Sequence, residues 1–134
     1  MELETRAVTI KVRPDGIIEL RVKDSWIEPD TVEVALENIE MLKKAVEAGG
    51  RAILSYSPST YMEKDVLECY KKAKIGHVAS ALLISSFGAR IVGNIYLKLS
   101  GSNNSVATKI FTNKEMAEKW LIKQIGKFSE VTAN

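Results

Sequence analysis

The stretch VTIKVRPDGIIELRV, residues 8–22, decides how the rest of the chain is read. Val8, Ile10 and Val12 alternate with Thr9, Lys11 and Arg13. Ile18, Leu20 and Val22 alternate with Glu19, Arg21 and Lys23. Successive side chains on a strand point to opposite faces, so each run predicts a strand with one buried face. Pro14-Asp15-Gly16 lies between them, a turn whose glycine can take a positive φ. The chain thus opens on a hairpin, and every later element has to pack on the apolar side of a sheet.

Downstream the apolar period lengthens. Val32, Ala35, Leu36, Ile39, Leu42 and Val46 predict an amphipathic helix, led by Pro29, capped by an Asp30–Glu33 pair and ended by Gly49-Gly50. Ala52 to Tyr56 is a short apolar run of the kind found in buried parallel strands. Thr60 and Glu63 predict the cap of a second helix, with Met62, Val66, Cys69, Tyr70 and Ala73 facing inward and Gly76 closing it. Ala79 to Ser85 predicts another strand, followed by a third helix from about Phe87 with Ile91, Val92, Ile95 and Leu99 inside. After the polar loop Ser100–Ser105, Val106 to Phe111 predicts the last strand. Thr112 and Glu115 predict the cap of a last helix with Met116, Ala117, Trp120, Leu121 and Ile125 inside. The expected architecture is α/β, a single layered domain over residues 1–134. Its order is β-β-α-β-α-β-α-β-α, its sheet is mixed with an N-terminal hairpin, and its tail is frayed from about residue 127.

This order resembles the STAS/SpoIIAA-like superfamily, which includes anti-sigma-factor antagonists and the tails of sulfate transporters. The second half resembles uncharacterised bacterial proteins of that shape. The residues that carry the likeness are Ala79 to Ser85, then Ser86-Phe87-Gly88-Ala89-Arg90, Lys109-Ile110-Phe111-Thr112 and Ala117-Glu118-Lys119-Trp120-Leu121. The resemblance implies a SpoIIAA-like fold and a non-catalytic regulatory or protein-interaction module. In the antagonists a serine in an Asp-Ser pair after a buried strand is phosphorylated. The matching place here reads Tyr56-Ser57-Pro58-Ser59-Thr60, with hydroxyls and no aspartate.

Composition narrows the function classes. The chain has 134 residues, 46% hydrophobic and 27% charged, with a net charge of +2 that gives no footprint for nucleic acid. Charge is unevenly spread: residues 1–50 carry 11 acids and 7 bases, residues 51–134 carry 6 acids and 12 bases. No acid falls between Glu68 and Glu115, a stretch holding Lys71, Lys72, Lys74, Arg90, Lys98 and Lys109. Such a stretch is either a solvated face with helix C-terminal lysines or a basic surface for an anion. The single cysteine, Cys69, excludes an internal disulfide and a cysteine-based zinc cluster, and it sits on an apolar stripe as a small core residue would. The single His77 leaves little room for metal sites or for Ser–His and Cys–His machinery. MELETRAV lacks the apolar core of a signal peptide, and Val78 to Leu99 is too interrupted to span a membrane. A cytoplasmic location is expected, with no metal and no cofactor.

In an open α/β sheet, ligands bind beyond the carboxyl ends of parallel strands. Three hydroxyl-rich loops fall there: Ser57 to Thr60, Ser85 to Gly88, and Thr112-Asn113. N-cap preference explains the hydroxyls without any ligand. The functional alternative is an anion cradle of Ser85, Ser86 and Gly88 with Arg90, and phosphorylation at Ser57, Ser59 or Thr60 beside a helix N-terminus. Three functions remain open: a regulatory module with an unknown protein partner, a binder of a small anionic or lipid-like ligand, and an enzyme of unknown class. Trp26 either closes one end of the core or contacts a partner. The hairpin edge also leaves a homodimer possible, with Lys11, Arg13, Arg21 and Lys23 placed to guard it.

Overall fold

A computed structural model describes residues 1–26, 30–56, 63–84 and 106–133, with side chains to residue 128. The elements run β1 (Glu2–Glu4), β2 (Val8–Val12), β3 (Ile17–Val22), α1 (Val32–Glu47), β4 (Ala52–Tyr56), α2 (Lys64–Lys72), β5 (Ala79–Leu83), β6 (Ala107–Phe111) and α3 (Lys114–Ala133). They form an α/β domain around one mixed six-stranded sheet in the order β1-β2-β3-β4-β5-β6. The first two pairings are antiparallel and the next three are parallel.

The hairpin has the register that its alternation predicts, with Val8 opposite Val22, Ile10 opposite Leu20 and Val12 opposite Ile18. Gly16 closes the turn at φ +92°, where a Cβ would be strained. The strand Glu2–Glu4 was not expected: three residues carry too little alternation to be seen, and β2 supplies the template by pairing Leu3 with Ile10. The expected third helix falls on residues outside those described.

Among the described residues α1 covers one face, with α2 packed against α1, and α3 covers the other. Val8, Ile10, Val12, Ile18 and Ile53 meet Val34, Leu42 and Ala45 of α1. On the opposite face Ile17, Ala52, Leu54, Ala79 and Ala81 meet Ala117 and Leu121 of α3. Ile17, Ile18, Leu54 and Leu121 are fully buried, and each contributes roughly 1.5–3 kcal/mol of transfer free energy. The helix α1 ends as predicted. Gly49 sits at φ +110°, and the Gly50 N–H reaches Ala45 O at 3.0 Å. A Cβ on Gly50 would overlap the Ile18 side chain and lie 2.9 Å from Ala45 O, so glycine is required for close approach.

The caps differ from expectation by one residue or more. Thr31, not Asp30, caps α1 by accepting from Val34 N at 3.2 Å. Asp30 is otherwise engaged, accepting from the Trp26 indole N–H at 3.0 Å. Trp26 packs at the end of the first core cluster. For α3 the cap is Asn113, whose Oδ1 accepts from Met116 N at 3.0 Å, in place of Thr112. Helix α2 starts at Lys64 behind Glu63, which makes no side-chain cap bond, and Thr60 and Met62 lie outside the described residues. Gly76 is not its terminator: Ala73 is already extended at ψ 135°, and Gly76 turns the following loop at φ +100°. Met116 is 61% exposed, because α3 turns Ala117 and Leu121 to the sheet instead. Cys69 is half-buried rather than in the core. The helix α3 continues past residue 127 to Ala133.

A buried polar chain ties the first face together. Thr5 Oγ1 accepts from Ala7 N and Val8 N, and its hydroxyl donates to Asn38 Oδ1 at 2.7 Å. Asn38 Nδ2 donates to Tyr70 Oη at 3.0 Å. The Tyr70 phenol is pushed up to about 12, first by burial and also by the negative charge of Asp30. The chain links the β1–β2 turn, α1 and α2 through groups that would be costly to leave unpaired.

Candidate functional site

Parallel pairing brings the ends of β3 and β4 together, with Arg21 opposite Tyr56. The Arg21 guanidinium lies 3.7 Å from the Tyr56 ring centre, a cation–π stack, and Lys114 Nζ lies 5.9 Å from the same ring. Lys114 is there because α3 begins directly after the end of β6. Glu19, two residues before Arg21 and on the same face, sits among them. Its carboxylate is 3.8 Å from Arg21, 3.8 Å from Lys114, and 3.4 Å from the Tyr56 hydroxyl. The Glu19 side chain is only 12% exposed, while Arg21 and Lys114 are about half exposed. The nearby Tyr56 phenol leads the causes that hold the Lys114 pKa above its ordinary value. A covered carboxylate with two half-exposed cations and a phenol is an arrangement that can exchange its internal pairs for those of a partner.

The cluster opens onto a part of the sheet that no helix among the described residues covers. The helix α3 covers β3 to β6 on this face, while the antiparallel part shows Glu2, Glu4, Thr9, Lys11, Glu19 and Arg21 around a depression of about 550 Å³. Reading across the strands, Glu2 faces Lys11 and Lys11 faces Glu19, while Glu4 faces Thr9 and Thr9 faces Arg21. Opposite charges alternate along the first row. Nearby, Phe111 stacks against Trp120 at 5.6 Å between ring centres, which anchors the start of α3 to β6.

The residues expected from sequence stand differently. Ser57, Ser59 and Thr60, and Ser85, Ser86, Gly88 and Arg90, all lie outside the described residues. Their flanks are described: Tyr56 and Leu83 are cross-strand partners, and Ile84 N donates to Phe111 O at 2.9 Å. The chain therefore enters both segments from neighbouring positions on one edge. Of the third loop, the Asn113 side chain is used as a cap. Arg21 was expected only as a guard of the hairpin edge, and Glu19, Tyr56 and Lys114 were not expected to form a site. The only signal was that Glu19 and Arg21 share the polar phase of β3, and the register that adds Tyr56 and Lys114 is not written in any one segment.

His77 is placed apart, in the loop before β5. Its Nε2 is 3.1 Å from Ser80 Oγ, its Nδ1 is buried with no partner, and burial pushes its pKa down to about 4. Among the described residues no group of three His, Cys, Asp or Glu could hold a metal ion, and no helix is long and apolar enough to cross a membrane.

No curated protein and no solved structure matches the chain. A family model does match, over residues 10–125, from β2 to Ile125 of α3. By that match the chain belongs to the DUF7793 family, a domain of unknown function.

Proposed function

We propose that this domain is a non-catalytic regulatory module that binds a partner protein through the charged sheet face beside the start of α3. The observation that carries the proposal is the Glu19–Arg21–Tyr56–Lys114 cluster, in which a nearly covered carboxylate holds two half-exposed cations at an open surface. Arg and Tyr are the side chains that most often dominate protein contacts. The likeness to STAS domains supports the same class of function. A small anionic ligand is the weaker reading, because Glu19 already neutralises one of the two cations.

A photo-crosslinking residue at Thr9 or Lys114, expressed in the native host, tests the proposal. The expected result is a discrete crosslinked partner that Arg21→Glu abolishes and raised salt weakens. Crosslinks identical to those from Glu40, on the outer side of α1, would remove the surface from consideration.

A further inference from the structure

The strand β1 is the edge of the sheet among the described residues, and its hydrogen bonding is one-sided. Val12 N donates to Met1 O and Thr5 N donates to Val8 O, each at 2.9 Å. In that antiparallel register residues 1, 3 and 5 bond to β2, and the N–H and C=O of Glu2 and Glu4 point away from the sheet. The side chains of Glu2 and Glu4 are exposed on the charged face, while Leu3 packs against the first core cluster on the other.

We infer that this edge accepts an added strand from a partner protein, and that the added strand is basic at alternate positions. The inference rests on the interaction-module reading and names its partner's chemistry. The argument is charge complementarity. Two acids line the free edge, Glu2 and Glu4; Glu4 pairs with Lys23 at 3.0 Å, and Glu2 has no ion partner among the described residues. A second copy of this chain pairing antiparallel about Leu3 would set Glu2 against Glu4 twice, and like charges directly opposite destabilise a sheet. A strand carrying Lys or Arg at positions i and i+2 would instead complete the alternation that already runs from Glu2 to Lys11 to Glu19. An apolar residue between them would meet Leu3 and extend the covered face.

The test uses the full chain and two probe peptides, one alternating Lys with Val and one alternating Glu with Val. The readout is protection of individual amides from hydrogen exchange, together with peptide affinity. The Lys–Val peptide should protect the Glu2 and Glu4 amides. Glu2→Lys with Glu4→Lys should weaken it roughly tenfold and favour the Glu–Val peptide. Glu4→Pro removes an outward N–H without touching the β1–β2 bonds, and should also abolish binding. Equal binding of both peptides, or no protection at Glu2 and Glu4, would overturn the inference. So would protection that grows with protein concentration alone, which would assign the edge to a second copy. If the peptides fail while crosslinks at Thr9 and Lys114 still find a partner, the interaction reading stands and only the edge assignment falls.

Discussion

Along β3 the residues that face α1 are Ile18, Leu20 and Val22, whereas those on the other side are Ile17, Glu19 and Arg21. In β4 both sides are apolar: Ile53 meets the first core cluster, and Ala52 and Leu54 meet the second. The sheet therefore changes character between its antiparallel and parallel parts. Parallel strands need crossover connections and end up covered on both faces, while antiparallel strands joined by hairpins can leave one face to water. The helix α3 draws the boundary. It starts at the carboxyl ends of the strands and its Ile125 comes within reach of the Gly16 turn, beside Arg51. It spans about 17 Å in that distance, the length of a five-residue strand. One helix covers a width of a few strands, so the strands beyond its reach carry charge. The candidate site sits on that boundary, where covered Glu19 meets open Arg21.

The sharpest way to break the comparison is a pair of truncations on the same face. Leu54→Ala, under α3, should cost about 2–5 kcal/mol, and Thr9→Ala, on the bare part, should stay within about 0.5 kcal/mol. Urea unfolding measures both, and similar losses would mean that the bare part is covered after all. The next largest effect is pH-dependent. His77 is held neutral in the fold by burial, with a pKa of about 4, against an ordinary value of 6.5. The unfolded chain takes up the proton first, so stability present above pH 6.5 should fall as pH drops toward 4, by as much as about 3 kcal/mol. In His77→Leu that part of the slope should vanish, and an unchanged slope would refute the assignment. Smallest of the three, Asn38→Ala should cost about 1–3 kcal/mol by leaving Thr5 and Tyr70 unpaired. It should also speed hydrogen exchange at Ala7 and Val8, the amides that Thr5 holds, while Thr9 and Lys11 exchange as before.

The hairpin, the buried strands and the turn of Gly49 could be read because each rests on neighbours in the chain. Alternation at Val8, Ile10 and Val12 has one solution on a one-sided sheet. Helix caps were harder. Asp30 and Thr31 are both good cap residues, and the choice fell to Thr31 in a structure where the Trp26 indole takes Asp30. Met116 looked inward by spacing, yet the phase of α3 is set by where Ala117 and Leu121 find room against Ala79 and Ala81.

What the sequence determined by itself is the order of elements and which face of each is apolar, because periodicity is a local property of the chain. The tertiary structure alone decided which polar residues meet. Arg21 and Tyr56 are far apart in sequence and become partners through the parallel register of β3 and β4. Lys114 joins them because α3 begins where β6 ends. Glu19 is an ordinary polar strand residue until that register surrounds it, since a charge takes its role from the groups that long-range pairing brings within a few ångströms.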